Sequence, residues 1–109
     1  MSKKYKLVVF VPLDHAEAVR EAIHAAGGGT LGNYSYVSFS SRGVGRFKPE
    51  KGSHPAIGEV GKIQEVEEER IEVLVDKSII SDVLTAMKKA HPYEEVAYDL
   101  YPLETPERQ

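Results

Sequence analysis

Apolar side chains along the chain follow two spacings, and each spacing predicts one kind of element. Residues 5–11 are apolar on both alternating faces, which favours a central strand covered on both sides. The next stretch predicts a helix because its apolar side chains recur at helical spacing, at Ala16, Val19, Ile23 and Ala26. We expect Asp14 to cap the start of this helix and the glycines at 27–29 to end it.

The other strands and the second helix are predicted in the same way. Residues 35–41 and 70–76 alternate apolar and polar side chains, which predicts the second and third strands. Ser78 is expected to cap a helix whose apolar stripe is Ile80, Val83, Met87 and Ala90. Pro92 disfavours helical conformation at His91, so this helix should end there, and residues 96–101 alternate as a fourth strand.

Residues 42–64 show no sustained period and contain five glycines and two prolines, which predicts a long loop. Loops of this length in a small domain are usually functional or disordered. We expect residues 65–69 to form an acidic, solvated lead-in to the third strand, and residues 104–109 to form a polar tail.

An internal repeat organises these elements. Residues 6–27 align without gaps with residues 70–91, so that Leu7 matches Ile71 and Val19 matches Val83. Each half is a strand–helix–strand unit. Two such halves predict one α+β domain of the ferredoxin-like βαββαβ type, an antiparallel sheet with both helices on one face. Apolar groups of the first strand would be left on the other face, which predicts self-association.

Composition narrows the functional classes. The chain has 109 residues, a net charge of −3 and no cysteine, so thiolate chemistry and disulfides are excluded and nucleic-acid binding has no general support. No apolar run approaches the roughly 20 residues of a membrane span, and the N-terminus lacks a signal-peptide pattern. We therefore expect a cytoplasmic protein without a membrane partner.

Four ordered motifs carry a family resemblance, at residues 32–41, 43–49, 57–62 and 91–99. Together they resemble the inserted middle domain of the YqfO or Nif-three-like family, the GTP cyclohydrolase type 2 homologues. The resemblance covers about residues 6–103 and implies a standalone version of that insert. It also implies a PII/CutA-like fold and a homotrimer, because the insert is similar to CutA and PII signalling proteins.

Two departures limit what the resemblance implies. The flanking segments that build the family's dimetal site are missing, so that site and its hydrolase or cyclohydrolase activity are not carried over. Tyr36 stands where we expect many relatives to have His, which weakens a metal site on that strand.

The turn after the second helix is the first candidate site, with His91, Tyr93, Glu94 and Glu95. Imidazole and carboxylates can bind a divalent metal or shuttle a proton, so His91, Glu94 and Glu95 are candidate metal ligands. The alternative is structural, with His91 near the negative end of the helix dipole and Tyr93 packed.

The long loop is the second candidate, because basic residues alternate there with glycines, at Arg42, Arg46, Lys48, Lys51 and Lys62. Arginine and exposed backbone N–H groups can bind a small anion, with Glu59 nearby in sequence. The alternative is an ordered loop that braces a neighbouring subunit. Asn33, Tyr36 and the neighbouring serines form a third group, which could bind a ligand or make interface hydrogen bonds.

Three functional hypotheses follow. The first is an oligomeric, non-enzymatic binding or regulatory module for a small anionic metabolite. The second is a metal-binding protein or metal-dependent hydrolase that uses His91 and the adjacent carboxylates. The third is a structural domain that assembles with a protein partner.

Overall fold

The central strand of the sheet is β1 (Lys4–Pro12), which lies between β3 and β4 and is apolar on both faces from Leu7 to Val11. The computed structural model describes residues 3–104. The sheet has the order β2–β3–β1–β4 with antiparallel neighbours, and its remaining strands are β2 (Phe39–Phe47), β3 (Gln64–Asp76) and β4 (Tyr98–Leu103). The helices are α1 (Ala16–Ala25) and α2 (Ile80–Ala90). Neither has the length and hydropathy that crossing a membrane requires.

Both helices pack on one face of the sheet and bury a shared apolar core. The core is contributed by both halves of the repeat, with Leu7, Val9 and Val11 on β1, Ile71, Val73 and Val75 on β3, and Val19, Ile23, Val83 and Met87 on the helices. The predicted α+β architecture is therefore confirmed. The runs at 7–11 and 71–75 lie on adjacent strands, with Leu7 opposite Val73.

The second strand is longer and later than its predicted bounds of 35–41. Tyr36 has a φ of 62°, a left-handed conformation that no strand accommodates, so pairing begins only at Phe39. Gly43 and Gly45 continue the strand because each has a paired residue on β3. The loop predicted for 42–64 therefore begins at residue 48.

The third and fourth strands also differ from their predicted bounds. Residues 65–69 are not a solvated lead-in but part of β3, where Glu69 pairs with Arg20 of α1 and Glu68 is buried. The fourth strand begins two residues later than predicted, at Tyr98, and includes Pro102, which an edge strand tolerates. Of the predicted tail, residues 105–109 lie outside the described part of the chain.

The predicted caps are replaced by short 3-10 turns, Leu13–His15 and Lys77–Ile79, which precede the two helices. Asp14 and Ser78 lie inside these turns, and neither helix has a side-chain cap hydrogen bond at its N-cap residue. Asp76 instead accepts a hydrogen bond from the Ser78 N–H (2.9 Å). The two 3-10 turns occupy matching positions in the alignment of the two halves, so this feature also follows the internal repeat.

The sheet face away from the helices, here called the open face, is mixed rather than apolar. Val8 and Phe10 of β1 lie on it, beside charged side chains of β3. Lys6 pairs with Glu72 (3.3 Å), and Arg70 donates to the same carboxylate (3.0 Å). The apolar open face expected from the sequence is therefore crossed by a row of ion pairs.

His91 ties the end of α2 to the central strand. It has extended backbone (φ −80°, ψ 140°), as the following Pro92 requires. Its Nδ1 accepts from the Tyr93 N–H (3.1 Å), and its Nε2 lies 2.7 Å from the Phe10 carbonyl oxygen. Because an N–H can only donate and a carbonyl can only accept, His91 must be neutral with its proton on Nε2. His91 as a whole is only 6 % exposed.

Acid should destabilise the protein through His91. Burial lowers the pKa of His91, so the folded state binds this proton less readily than the unfolded chain. The neutral ring therefore contributes fully to the free energy of unfolding above the unfolded-state pKa of about 6.5. As pH falls below that value the free energy of unfolding decreases, by at most about 1.4 kcal/mol per pH unit. Urea unfolding at neutral and acidic pH should show this loss in the wild type.

His91→Gln is the matched comparison, because glutamine does not titrate and can still donate to Phe10. We expect the variant to be less stable at neutral pH and to lose less stability in acid than the wild type. Equal losses in the two proteins would show that His91 does not titrate in this way.

Candidate functional site

A cavity of about 640 Å³ opens on the open face between the β2–β3 hairpin and the turn at 93–97. Its floor is formed by β1, β2 and β3, with Phe10, Gly43, Gly45, Phe47, Glu68 and Arg70. The loop after β2 and the turn before β4 form its walls, with Pro49, Ser53, Pro55, Ala56, Ile57, Tyr93, Glu94, Glu95 and Ala97. The lining is mostly apolar, with a few charged groups.

The loop at 48–63 is held over this cavity by its own backbone and by the turn. The Gly61 N–H donates to the Pro49 carbonyl (2.8 Å), and Pro49 is buried. The His54 N–H donates to the Glu94 carboxylate (2.8 Å), which joins the loop to the turn. Two stretches far apart in sequence thus form one concave surface.

Glu68 lies in the cavity floor and is only 8 % exposed. The Tyr93 hydroxyl donates to its Oε2 (3.2 Å). Burial raises the pKa of the Glu68 carboxyl, and the hydrogen bond from Tyr93 opposes that shift only in part. Burial and the neighbouring Glu68 also raise the pKa of Tyr93, so Tyr93 stays protonated at neutral pH and acts as a donor.

The carboxylate of Glu68 lies across Gly45. A Cβ atom at position 45 would be 2.1 Å from Glu68 Oε1, so only glycine leaves room for this side chain. A Cβ atom at position 43, by contrast, would have no neighbouring atom within 4 Å. Position 43 therefore opens into the cavity. The two glycines that made this segment resemble a loop therefore shape the floor of the cavity.

Contacts between side chains connect the cavity floor to the core. Tyr93 donates through its hydroxyl to Glu68 and through its N–H to His91, and His91 donates to Phe10. The ring of Tyr93 also meets the ring of Phe47 edge-on, with centroids 5.6 Å apart. His91 thus acts as a support for Tyr93 and does not itself line the cavity.

Arg70 is a cation of the open face that lines the cavity with Glu68. Its guanidinium carbon lies 5.7 Å from the centre of the Phe10 ring, and its Nε donates to Glu72. The other face of the hairpin is different, because Arg46 is opposite Glu65 on β3 and pairs with it at 2.8 Å. Strand alternation puts Glu65 on the side away from Glu68, so the Arg46 guanidinium points away from the cavity floor.

The cavity includes six of the residues proposed from sequence, Arg42, Arg46, Lys48, Tyr93, Glu94 and Glu95. It does not include Asn33, Tyr36, Glu59 or His91. Asn33 lies in an exposed turn, and the Tyr36 hydroxyl donates to Glu17 on α1 (3.0 Å). Glu59 is exposed and pairs with Lys62 (2.9 Å).

Sequence reasoning missed three residues of the cavity floor, Phe10, Glu68 and Arg70, whereas Gly43, Gly45 and Phe47 fall within the segment 42–64 that was proposed as the second candidate site. One signal was present, because extending the alternation of β3 backwards puts Glu68, Arg70 and Glu72 on one face. Within residues 3–104, no three His, Asp or Glu side chains come together in a way that could hold a metal ion. Both nitrogens of His91 are already hydrogen-bonded.

Comparison with known proteins gives a consistent result. No family model matches the chain. It is 57 % identical over 99 residues to a GTP cyclohydrolase 1 type 2 homolog of Halalkalibacterium halodurans, covering 91 % of this chain and 27 % of the relative. It is 52 % identical over 99 residues to the protein of the same name in Bacillus subtilis, covering 91 % and 26 %. The chain thus spans about a quarter of the length of these relatives.

Comparison with solved structures shows similarity to the same group of proteins and identifies the fold. A Bacillus cereus protein related to NIF3 is 49 % identical, with a TM-score of 0.83 over 95 % of this chain and 26 % of that one. CutA of Archaeoglobus fulgidus, described as a periplasmic divalent cation tolerance protein, has a TM-score of 0.70 at 16 % identity, covering 96 % and 88 %. Bacillus subtilis GlnK in complex with ATP has a TM-score of 0.60 at 12 % identity, covering 94 % and 84 %.

The order of strands and helices is therefore that of a PII/CutA-like fold, and the sequence identity is to one segment of longer proteins. Over nine-tenths of its length the chain is closely similar to one segment of the GTP cyclohydrolase 1 type 2 homologues of the Nif-three-like family, a segment that makes up about a quarter of those proteins.

Proposed function

We propose that this chain is a small-ligand-binding module with a regulatory role, and that it holds its ligand in the cavity of the open face. The observation that carries the proposal is the cavity itself, where the loop at 48–57 and the turn at 93–97 meet over one floor. Its volume of about 640 Å³ is in the range of small-molecule sites, roughly 300–1,000 Å³, and mostly apolar linings with a few polar groups are typical of them.

The polar groups of the cavity favour binding over catalysis. Tyr93 is a hydroxyl donor with a raised pKa, and its partner Glu68 is held in place by it. Such a pair orients a ligand well. We propose binding as the role of this segment in preference to the cyclohydrolase activity in its relatives' name, because the chain spans about a quarter of those proteins.

We also propose that copies of the chain associate through the open face, as a homotrimer. Phe39 and Tyr101 are exposed large side chains that lie on this face beside Val8. Association there would bring a neighbouring copy close to the mouth of the cavity. Sedimentation or light scattering at micromolar concentration gives the molecular mass directly.

A ligand screen by thermal shift tests the binding proposal. The panel contains nucleotides, because GlnK was solved with ATP, together with di- and tricarboxylates and divalent metal ions. We expect at least one small molecule to stabilise the protein, by about 2.7 kcal/mol at a hundredfold excess over its Kd. Gly43→Leu should abolish the shift, because leucine would fill the cavity from a position with no neighbouring atom to displace.

Val44→Leu is the control, since it adds bulk on the same strand with the side chain on the opposite face. It should leave the ligand-induced shift intact. A screen in which nothing stabilises the wild type, or a shift that persists in Gly43→Leu, would contradict the proposal.

Alanine at the two floor glycines should have opposite effects on stability. Gly43→Ala should stabilise by about 0.5–1 kcal/mol, because it removes the entropic cost of glycine in a strand. Gly45→Ala should be less stable than Gly43→Ala by about 1–2 kcal/mol, because it pushes Glu68 off its hydrogen bond with Tyr93. Urea unfolding measures both.

In a Glu68→Ala background the difference between the two glycine positions should disappear, since no carboxylate is left to displace. If the difference persists there, Gly45 is required for some other reason.

A further inference from the structure

The cavity floor presents two opposite charges on one strand. Glu68 and Arg70 are two residues apart on β3, so both side chains leave the sheet on the open face, with their Cα atoms about 7 Å apart. Both residues line the cavity. Their separate environments decide what each can still bind.

Glu68 is a buried carboxylate without a cationic partner. Across the described ranges no Lys, Arg or His nitrogen lies within salt-bridge distance of it, and its hydrogen-bond partner is the neutral Tyr93 hydroxyl. A carboxylate has roughly four acceptor positions, and the single bond from Tyr93 leaves most of them unused. Burying a charge with so few partners is costly, and burial accordingly raises the pKa of this carboxyl.

Arg70 does not neutralise Glu68, although it is the nearest cation on the same strand face. Its Nε is used by Glu72, and its planar group lies over the Phe10 ring. For its two terminal nitrogens the structure gives no partner among residues 3–104. The Phe10 ring and Glu72 therefore hold the guanidinium in place and leave the end of the fork available to an anion.

Apolar side chains of the cavity lie beside these two charges, of which Glu68 is buried and the Arg70 side chain is 42 % exposed. The rings of Phe47 and Tyr93 contact each other, the Phe10 ring contacts Arg70, and Ile57 lines the same cavity from the loop. Flat aromatic surfaces favour a flat apolar partner. A molecule that satisfies all three parts of the floor needs a donor end, an acceptor end and an apolar body.

Building on the proposed binding function, we infer that the ligand of this cavity is amphoteric: an ammonium or N–H group pairs with Glu68, an anionic group pairs with Arg70, and a flat apolar body lies against Phe10 and Phe47. The inference makes Glu68 and Arg70 the residues that determine specificity.

Matched probes test this inference by ligand-observed NMR on the full chain. Para-(aminomethyl)benzoic acid carries both charges on one flat ring, para-toluic acid only the anion, and para-methylbenzylamine only the cation. We expect the two-ended probe to bind roughly fivefold more tightly, or better, than either single-ended one. Equal affinities for all three would overturn the inference.

Charge-neutral variants assign each end of the probe. Glu68→Gln should reduce the affinity for the two-ended probe to that for para-toluic acid, and should not weaken para-toluic acid itself. Arg70→Gln should likewise reduce the affinity for the two-ended probe to that for para-methylbenzylamine, and should not weaken the binding of para-methylbenzylamine itself. Glu67→Gln is the control, because it makes the same charge change on the neighbouring residue, which faces the opposite side of the sheet.

The same substitutions applied to any ligand from the thermal-shift panel separate the two proposals. A panel ligand blocked by Gly43→Leu but insensitive to both Glu68→Gln and Arg70→Gln would overturn the amphoteric assignment and leave the binding function standing. Absence of binding by every panel ligand and probe would remove both. Loss of self-association in Glu68→Gln with unchanged probe binding would place the carboxylate in a subunit contact, and would also overturn the inference.

Discussion

The arrangement of the site depends on a single neutral imidazole at the corner between α2 and the central strand. His91 donates to the Phe10 carbonyl and accepts from the Tyr93 N–H. These two hydrogen bonds fix the path of the backbone that follows the helix. Tyr93 is thereby brought to Glu68, and the turn at 93–97 becomes a wall of the cavity. A residue that suggests metal or proton chemistry in sequence is here a structural connection.

The position of Tyr93 also explains how the glutamate-rich start of β3 can form part of a binding surface. Residues 64–69 of β3 carry four glutamates, yet strand alternation sends Glu65, Glu67 and Glu69 to one side and Glu68 to the other. Glycine at position 45 leaves the space that the Glu68 side chain fills, and Tyr93 supplies its hydrogen bond. Glu68 is therefore a buried carboxylate with one hydrogen-bond donor, and we place ligand specificity there and at Arg70, two residues further along the same strand.

The sequence predicted most of the fold because the relevant signals are local. Apolar periodicity gave both helices, the central strand and the duplication, and the Pro92 rule located the end of α2. The bounds of β2 were not predictable in this way, since Gly43 and Gly45 favour a loop locally and become strand only through pairing with β3. Tyr36 was placed in a strand because its left-handed backbone leaves no mark on hydrophobic spacing.

The site was harder to predict because its contacts join distant parts of the chain. His91 and Phe10 are 81 residues apart, and Tyr93 and Glu68 are 25 apart. No local pattern distinguishes Glu68 from the glutamates beside it. The turn at 91–95 and the basic loop could be identified separately as candidates, but only the folded chain brings them to one cavity, and it leaves Asn33, Tyr36 and Glu59 outside.

Amide chemical-shift mapping of the labelled protein during titration with a stabilising ligand tests the central claim most directly. If the cavity of the open face is the binding site, the largest shifts will fall on Gly43 and Gly45 of β2 and on Tyr93 and Ala97 of the turn, two segments that meet at this cavity. Shifts centred instead on residues 31–38, or on the exposed side of α1, would contradict the account.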